Sequence, residues 1–272
     1  MIFKIARLLV KTLPEPAAFR LVCSLAGRTQ RPAVRPAQQE ALAQARQVHY
    51  GAQGRNVAWA WGQTTGPLVI LVHGWGGRAA QIAPLAATLA QQGFHCVAID
   101  VTGHGSSPGD RTAWRCFIDD IAALTTTLGQ PVHAYVAHSA GALTAMAARG
   151  IHGIGAARYV CICAPSHPHP PITVIRQKLD PPAGVLQRYR EHIAQQFGAD
   201  WATLATGTAY AGAGSNLLLF YDTTDRYIDH QEGNHLQALC PGARLIKTTQ
   251  YGHTRVLEAP ELAQAVGEFL QT

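Results

Sequence analysis

The sequence predicts an α/β protein, with a mostly parallel central sheet flanked by helices. Three observations carry this reading. Short runs rich in apolar and β-branched residues recur from residue 47 onward. Helical stretches separate most of them, as in sheets whose strands are joined by helical crossovers. Several of the runs also lack polar alternation, which marks strands covered on both faces.

Taken in order, "QVHYGAQGRNVAWAWG" reads as a hairpin that turns at Gly51 to Gly54. The strand-like runs after it are "LVILVHG" (68–74), "FHCVAID" (94–100), "VHAYVAHS" (132–139), "YVCICAPS" (159–166), "NLLLFYD" (216–222) and "ARLIKTT" (243–249). Between them, "AAQIAPLAATLAQQG", "WRCFIDDIAALTTTLG" and "AGALTAMAARG" read as helices, and "APELAQAVGEFLQ" as a closing helix. Residues 167–215 break the rhythm, with the helical "PPAGVLQRYREHIAQQFG" followed by the Gly/Ala/Thr-rich "TLATGTAYAGAGS". An excursion this long inside a compact domain reads as a lid or cap. The expected organisation is a basic helical leader over 1–46, a core over 47–166 and 216–272, and a small helical cap over 167–215.

Composition is that of a globular chain, 47% hydrophobic and 14% charged. The formal charge of +6 sits entirely in residues 1–46, which hold eight Lys/Arg against two acids. The rest of the chain is neutral. A nucleic-acid enzyme spreads basic residues over its working surface, so that partner is excluded. Within the leader, Lys4, Arg7 and Lys11 share one helical face, while Ile2, Ile5, Leu9 and Leu13 cluster on another. Two readings follow: a helix packed on the main domain, or a basic amphipathic helix touching an anionic membrane through residues 1–30. The cations break up the apolar stretch, so it does not read as a signal peptide, and no later run is long enough to span a bilayer. The six cysteines are scattered without a CxxC pair. They support neither a zinc site nor a disulfide framework, and point to a reduced, cytoplasmic protein. Cys161 and Cys163 read as same-face core positions of one strand.

In open parallel sheets, ligands bind outside the carboxyl ends of the strands. There the sequence places His73-Gly74-Trp75, Asp100, Ser139, Ser166, the segment from Asp222 to Asp225, and "QYGHTR" with His253. Serine becomes a nucleophile only when a base takes its proton, and that base is usually a histidine supported by a carboxylate. Ser139, Asp225 and His253 occur in the chain order Ser…Asp…His, each just past an expected strand, an order that marks one particular fold. Two other readings exist. Ser139 has the chemistry of a helix N-cap. "VHGWGGRA" also satisfies G-x-G-x-x-A through Gly74, Gly76 and Ala79, with Asp100 ending the next strand, as an NAD(P)-binding oxidoreductase would. That rival leaves His73, the serine turn and the His253 loop without a purpose.

From about residue 57 to its C-terminus the chain resembles an α/β-hydrolase. "LVILVHGWGG" resembles the oxyanion strand and loop, and "AIDVTGHGSSPG" the D-x-x-GHG-x-S loop. "AHSAG" is similar to the nucleophile elbow G-x-S-x-G, with Ala137 in place of the first glycine. "FYDTTDRYID" resembles the acid loop, and "YGHTRVLEAPELAQAVGEFL" the histidine loop and closing helix. The resemblance implies two-step acyl transfer by Ser139, with His253 as general base. Asp225, the second aspartate of "DTTD", would be its supporting acid and Asp222 a loop brace. The backbone N–H groups of Trp75 and Ala140 would form an oxyanion hole.

His73, His104 and His138 are expected to hold loops, as is Asp100. His167 and His169 lack the further ligands a metal needs. Neither metal nor organic cofactor is implied. The expected substrates are small carboxylic esters or thioesters. The cap residues Trp201, Tyr189, Phe197 and Tyr210 would line an apolar acyl pocket. A hydrolase-like fold without catalysis, acting as a binding module, is the remaining class.

Overall fold

A computed structural model describes residues 2–272, the side chain of Ile2 excepted. Eight strands form one sheet: β1 (Arg46–Tyr50), β2 (Asn56–Trp61), β3 (Leu68–Val72), β4 (His95–Asp100), β5 (Val132–His138), β6 (Arg158–Ile162), β7 (Leu217–Asp222) and β8 (Arg244–Thr248). Their spatial order is β1-β2-β4-β3-β5-β6-β7-β8. β1 and β2 pair as the antiparallel hairpin expected, and β2 runs antiparallel to β4. From β4 through β8 every pairing is parallel.

Successive side chains of a strand point to opposite faces, and both faces of this sheet are covered. Leu68, Ile70 and Val72 of β3 join one core, and Val69 and Leu71 the other. β7 divides in the same way, with Leu217, Leu219 and Tyr221 opposite Leu218 and Phe220. This double burial is why the strands read as continuous apolar runs. Cys161 and Cys163 were expected on one face, and the structure corrects this: they belong to different cores. β6 ends at Ile162, and Cys163 adopts φ +46°, which turns its side chain to the other side.

The helices, in chain order, are α1 (Ile2–Thr12), α2 (Glu15–Ala26), α3 (Pro36–Ala43), α4 (Ala79–Gln91), α5 (Trp114–Leu128), α6 (Ala140–His152), α7 (His169–Leu179), α8 (Ala183–Gln196), α9 (Trp201–Ala205), α10 (Gln231–Leu239), α11 (Gly252–Arg255) and α12 (Pro260–Gln271). α3, α4 and α12 contribute to one core; α5 and α6 contribute to the other, together with α1, α2, α7 and α8. Residues 167–215 carry α7 to α9. Of these, α7 was not foreseen, because its "HPPIT" start has no obvious helical pattern and relies on prolines at the first helical positions.

The N-terminal segment is built into this layer. Arg31 donates to the carbonyls of Ser107 and Gly109, and Thr29 to that of Gly103. In α1 the buried residues are Ala6 and Val10, while Arg7 and Lys11 both reach Asp180 at the end of α7. Of the two readings of this helix, packing on the main domain would turn its apolar cluster inward. Instead Ile5, Leu9 and Leu13 are exposed, and the side chain of Ile2 lies outside the described residues. α1 crosses α7 and α2 through its small residues, which allow the closest approach and leave the larger ones outside. No described helix is long and apolar enough to cross a membrane.

Asp100 ties the hairpin, β4 and α4 together. Its buried carboxylate accepts from the Ala79 N–H at 2.7 Å, the Ser106 N–H at 2.9 Å and the Trp59 Nε1–H at 3.1 Å. Asp100→Ala leaves three donors without their acceptor and should cost about 3 kcal/mol or more, measured by urea unfolding.

Candidate active site

β5 delivers Ser139 to the carboxyl edge of the sheet. The strand ends at His138, and Ser139 sits at φ 54° and ψ −122°, a strained conformation for a residue with a side chain. Its N–H donates to the Ile162 carbonyl of the neighbouring strand, and its side chain does not cap α6. The N-cap reading of Ser139 is therefore corrected. The turn is possible because α6 and β3 nearly touch. A Cβ on Gly141 would lie 2.3 Å from the His73 carbonyl oxygen, and one on Gly74 3.0 Å from Ser139 Cβ. Ala137, which replaces the elbow's first glycine, is a buried residue of β5 and leaves this turn intact.

His253 is the second residue of α11, just past the loop that follows β8. Its Nε2 lies 3.1 Å from Ser139 Oγ, and its Nδ1 lies 2.7 Å from Asp225 Oδ2. A carboxylate only accepts, so Nδ1 donates to Asp225, and Nε2 is the nitrogen that faces the serine hydroxyl. Asp225 Oδ1 accepts from the N–H groups of Tyr227 and Ile228. Burial disfavours the Asp225 charge, but the His253 and backbone hydrogen bonds outweigh it and hold the carboxyl below its usual range.

Asp222 does something else. Its two oxygens accept from the N–H groups of Thr224, Gln250, Tyr251 and Gly252 and from the hydroxyls of Thr224 and Thr248. Burial opposes its charge too, yet these bonds hold it well below the carboxylate range. Asp222 thus joins the Asp225 loop to the His253 loop, and the choice between the two aspartates is decided by which one reaches the imidazole.

Three further histidines surround the serine and each holds a loop. His73 Nδ1–H donates to the Gly74 carbonyl, and its Nε2 accepts from the Val101 N–H. His104 Nδ1–H donates to the Thr102 carbonyl, and its Nε2 accepts from the Gly76 N–H. His138 Nε2–H donates to the His253 carbonyl at 2.8 Å, steadying the loop that carries the other imidazole. Burial lowers their pKa values, to about 4 for His73, about 3 for His104 and about 3 for His138. Each of the three is neutral at physiological pH.

Trp75 and Ala140 both line the cavity at Ser139. Among the described residues, neither backbone N–H has an intramolecular acceptor in the loops. The Trp75 ring stacks on Phe117 with centroids 5.7 Å apart and lies 5.2 Å from that of Trp114. The cavity itself is about 660 Å3, within the range of small-molecule sites. Its apolar wall comes from Phe3, Leu25, Trp114, Ile175, Leu179 and Ile228.

The aromatic set expected to line it is corrected. Tyr189, Phe197 and Tyr210 are buried in the core, and Trp201 borders a separate cavity of about 340 Å3 with His167 and His169. The rings of Tyr189, Phe197 and Tyr210 turn inward as packing, and α7 and the N-terminal helices supply much of the wall instead. Sequence reading missed Phe3 and Leu25 because nothing local says which distant surface a leader helix will cover. His167 and His169 lie side by side, with ring centroids 4.8 Å apart, and His169 Nε2 lies 3.2 Å from Glu232. Cys163 was also missed: its thiol, Asp225 and His253 converge within 4.8 Å.

The rival dinucleotide reading needs Asp100 free to bind a ribose. Its carboxylate is taken up by Ala79, Trp59 and Ser106. The family model for the alpha/beta hydrolase fold matches residues 67–212, more than half of the chain, and the chain belongs to that family. A 2-(acetamidomethylene)succinate hydrolase of Mesorhizobium japonicum is 35% identical over 86 residues, a stretch that spans 31% of this chain and 31% of that relative. Two solved structures share the fold more broadly. A thioesterase domain from the curacin biosynthetic pathway superposes with a TM-score of 0.61 at 17% identity, over 84% of this chain and 99% of its own. An esterase from Rhodococcus sp. ECU1013 gives 0.58 at 18% identity, over 84% and 99%.

The buried neutral histidines make stability depend on pH. An unfolded chain protonates histidine below about pH 6.5, whereas in the folded chain His73, His104 and His138 resist until about 4 or 3. Stability should therefore be full above about pH 6.5 and fall as pH drops toward 4. Urea midpoints between about pH 8 and about pH 4 measure this, and His104→Gln should show a shallower decline.

Proposed function

We propose that this protein is a serine hydrolase that cleaves carboxylic esters or thioesters through an acyl-enzyme on Ser139. One observation carries the reading: a serine on a strained turn, lining an apolar cavity, faces one nitrogen of an imidazole whose other nitrogen is bound to a carboxylate. Burying this constellation serves no packing purpose. It is what proton transfer from a serine requires.

In this mechanism Ser139 Oγ attacks the substrate carbonyl carbon as His253 Nε2 takes the hydroxyl proton. Asp225 stabilises the resulting imidazolium. The tetrahedral oxyanion is held by the N–H groups of Trp75 and Ala140, the latter at the start of α6, where the helix dipole adds to the attraction. Collapse expels the alcohol or thiol, which receives the proton from His253. Water then repeats the cycle against the acyl-enzyme. The apolar wall accommodates the acyl chain, and nothing in the cavity specially activates an amide leaving group. The matched relative's name as a hydrolase accords with this chemistry. A binding module that has lost catalysis would have no use for the hydrogen-bonded order of Ser139, His253 and Asp225.

Ser139→Ala should lower kcat/KM for p-nitrophenyl esters at least about ten-thousandfold and abolish fluorophosphonate labelling, with the thermal midpoint little changed. Asp225→Asn, which removes the carboxylate that fixes the imidazole, should lower kcat about a thousandfold. Wild-type protein that neither turns over esters of any chain length nor takes the label would sink the reading.

A further inference from the structure

Among the described residues, nothing covers the outer side of α1. This helix packs inward through Ala6 and Val10, and away from them it presents Ile5, Leu8 and Leu9 at 55%, 64% and 41% exposure. Their i, i+3, i+4 spacing makes one stripe, continued by Leu13. Single exposed leucines are ordinary, whereas a contiguous stripe of them marks a contact surface. Cations border it. Lys4 is exposed, Arg7 and Lys11 share Asp180, and Lys178 stands 5.4 Å from the centre of the Phe3 ring. The helix that carries the stripe also borders the catalytic cavity. Phe3, on the same helix, lines the cavity that runs to Ser139, along with Val174, Lys178 and Tyr227. Phe3, Val174 and Tyr227 remain 54%, 46% and 74% exposed at its rim.

We propose that α1 is an interfacial helix that seats the cavity mouth on an anionic lipid bilayer, so that the acyl chain of a lipid-borne ester passes Phe3 and Val174 to reach Ser139. The second half rests on the serine-hydrolase reading; the lipid contact stands without it. Charge selects the occupant. Lys4, Arg7, Lys11 and Lys178 outweigh Asp180, so the border of the stripe is attracted to acidic headgroups while Ile5, Leu8 and Leu9 enter the acyl boundary. A symmetric contact between two copies would set the same cations against one another. The geometry also explains why the leader's small residues face the protein. A helix docked by Ala6 and Val10 keeps its large apolar residues for the membrane.

The test uses the full chain and the triple variant I5Q/L8Q/L9Q, whose changed side chains lie outside the cavity wall. Both are sedimented with vesicles of equimolar phosphatidylcholine and phosphatidylglycerol and with vesicles of phosphatidylcholine alone. Wild type should bind the anionic vesicles more strongly than the zwitterionic ones, and the variant should lose at least about tenfold of that binding. Turnover of a soluble short-chain p-nitrophenyl ester should be the same in both, while hydrolysis of a long-chain ester embedded in the vesicles falls at least about tenfold in the variant. Wild type that stays in the supernatant, or a variant that pellets equally well, overturns the lipid contact. So does light scattering that shows a wild-type dimer and a variant monomer, which would assign the stripe to a second copy of the chain. Wild type that pellets with vesicles but hydrolyses neither ester keeps the lipid surface and overturns the hydrolase reading.

Discussion

The closeness of α6 to β3 is the constraint on which the carboxyl edge of the sheet depends. No Cβ can stand at Gly141, because the His73 carbonyl already occupies that space. With the two backbones this near, the chain leaving β5 has a single residue in which to reverse into α6. That residue is Ser139, at positive φ. The strain is held by the sheet beneath it, through the Ser139 N–H bond to Ile162 and the parallel pairing of β5 with β3 and β6. The same approach puts the Ala140 N–H at a helix start beside the cavity, so one packing contact positions both Ser139 and that N–H.

A second layer of constraint fixes the other two side chains. Asp222 does not touch His253's ring, yet it gathers the loop after β7 and the loop after β8 onto one carboxylate. This lets Asp225 and His253, which arrive from different loops, meet at 2.7 Å. His138 adds a tether by donating to the His253 carbonyl. Buried polar groups of this kind are stable only when fully satisfied, and here they convert chain segments far apart in sequence into one rigid arrangement. The cavity above is walled differently. Its apolar side is largely that of α1, α2 and α7, elements that pack on each other.

Much of the fold was legible because it depends on periodicities that are local. Double burial of the sheet produced unbroken apolar runs, and the interposed helices followed from the segments between them. The hairpin at Gly51 to Gly54 was legible from its turn residues. α7 was not, since a proline-rich start hides a helix whose stability comes from burying Ile172, Ile175 and Leu179. Cys163 was assigned to the wrong face because period-2 reasoning continues a strand past its end, and a single left-handed residue breaks it. The cap aromatics were assigned to the cavity on residue type alone. Their rings turn inward, which composition does not record.

For the site, the sequence by itself determined the chemistry available: a serine between small residues, and an acid and a histidine after later strands, in an order that only one connection pattern brings together. That much follows from residue type and chain order, which are one-dimensional properties. Tertiary structure alone decided which aspartate meets the imidazole, since Asp222 and Asp225 differ by three positions and only the direction of the loop separates them. It also decided that the N-terminal helix walls the cavity and turns its leucines outward. Both outcomes depend on which surfaces approach each other across the sheet, and such distances are set by packing among residues more than a hundred positions apart.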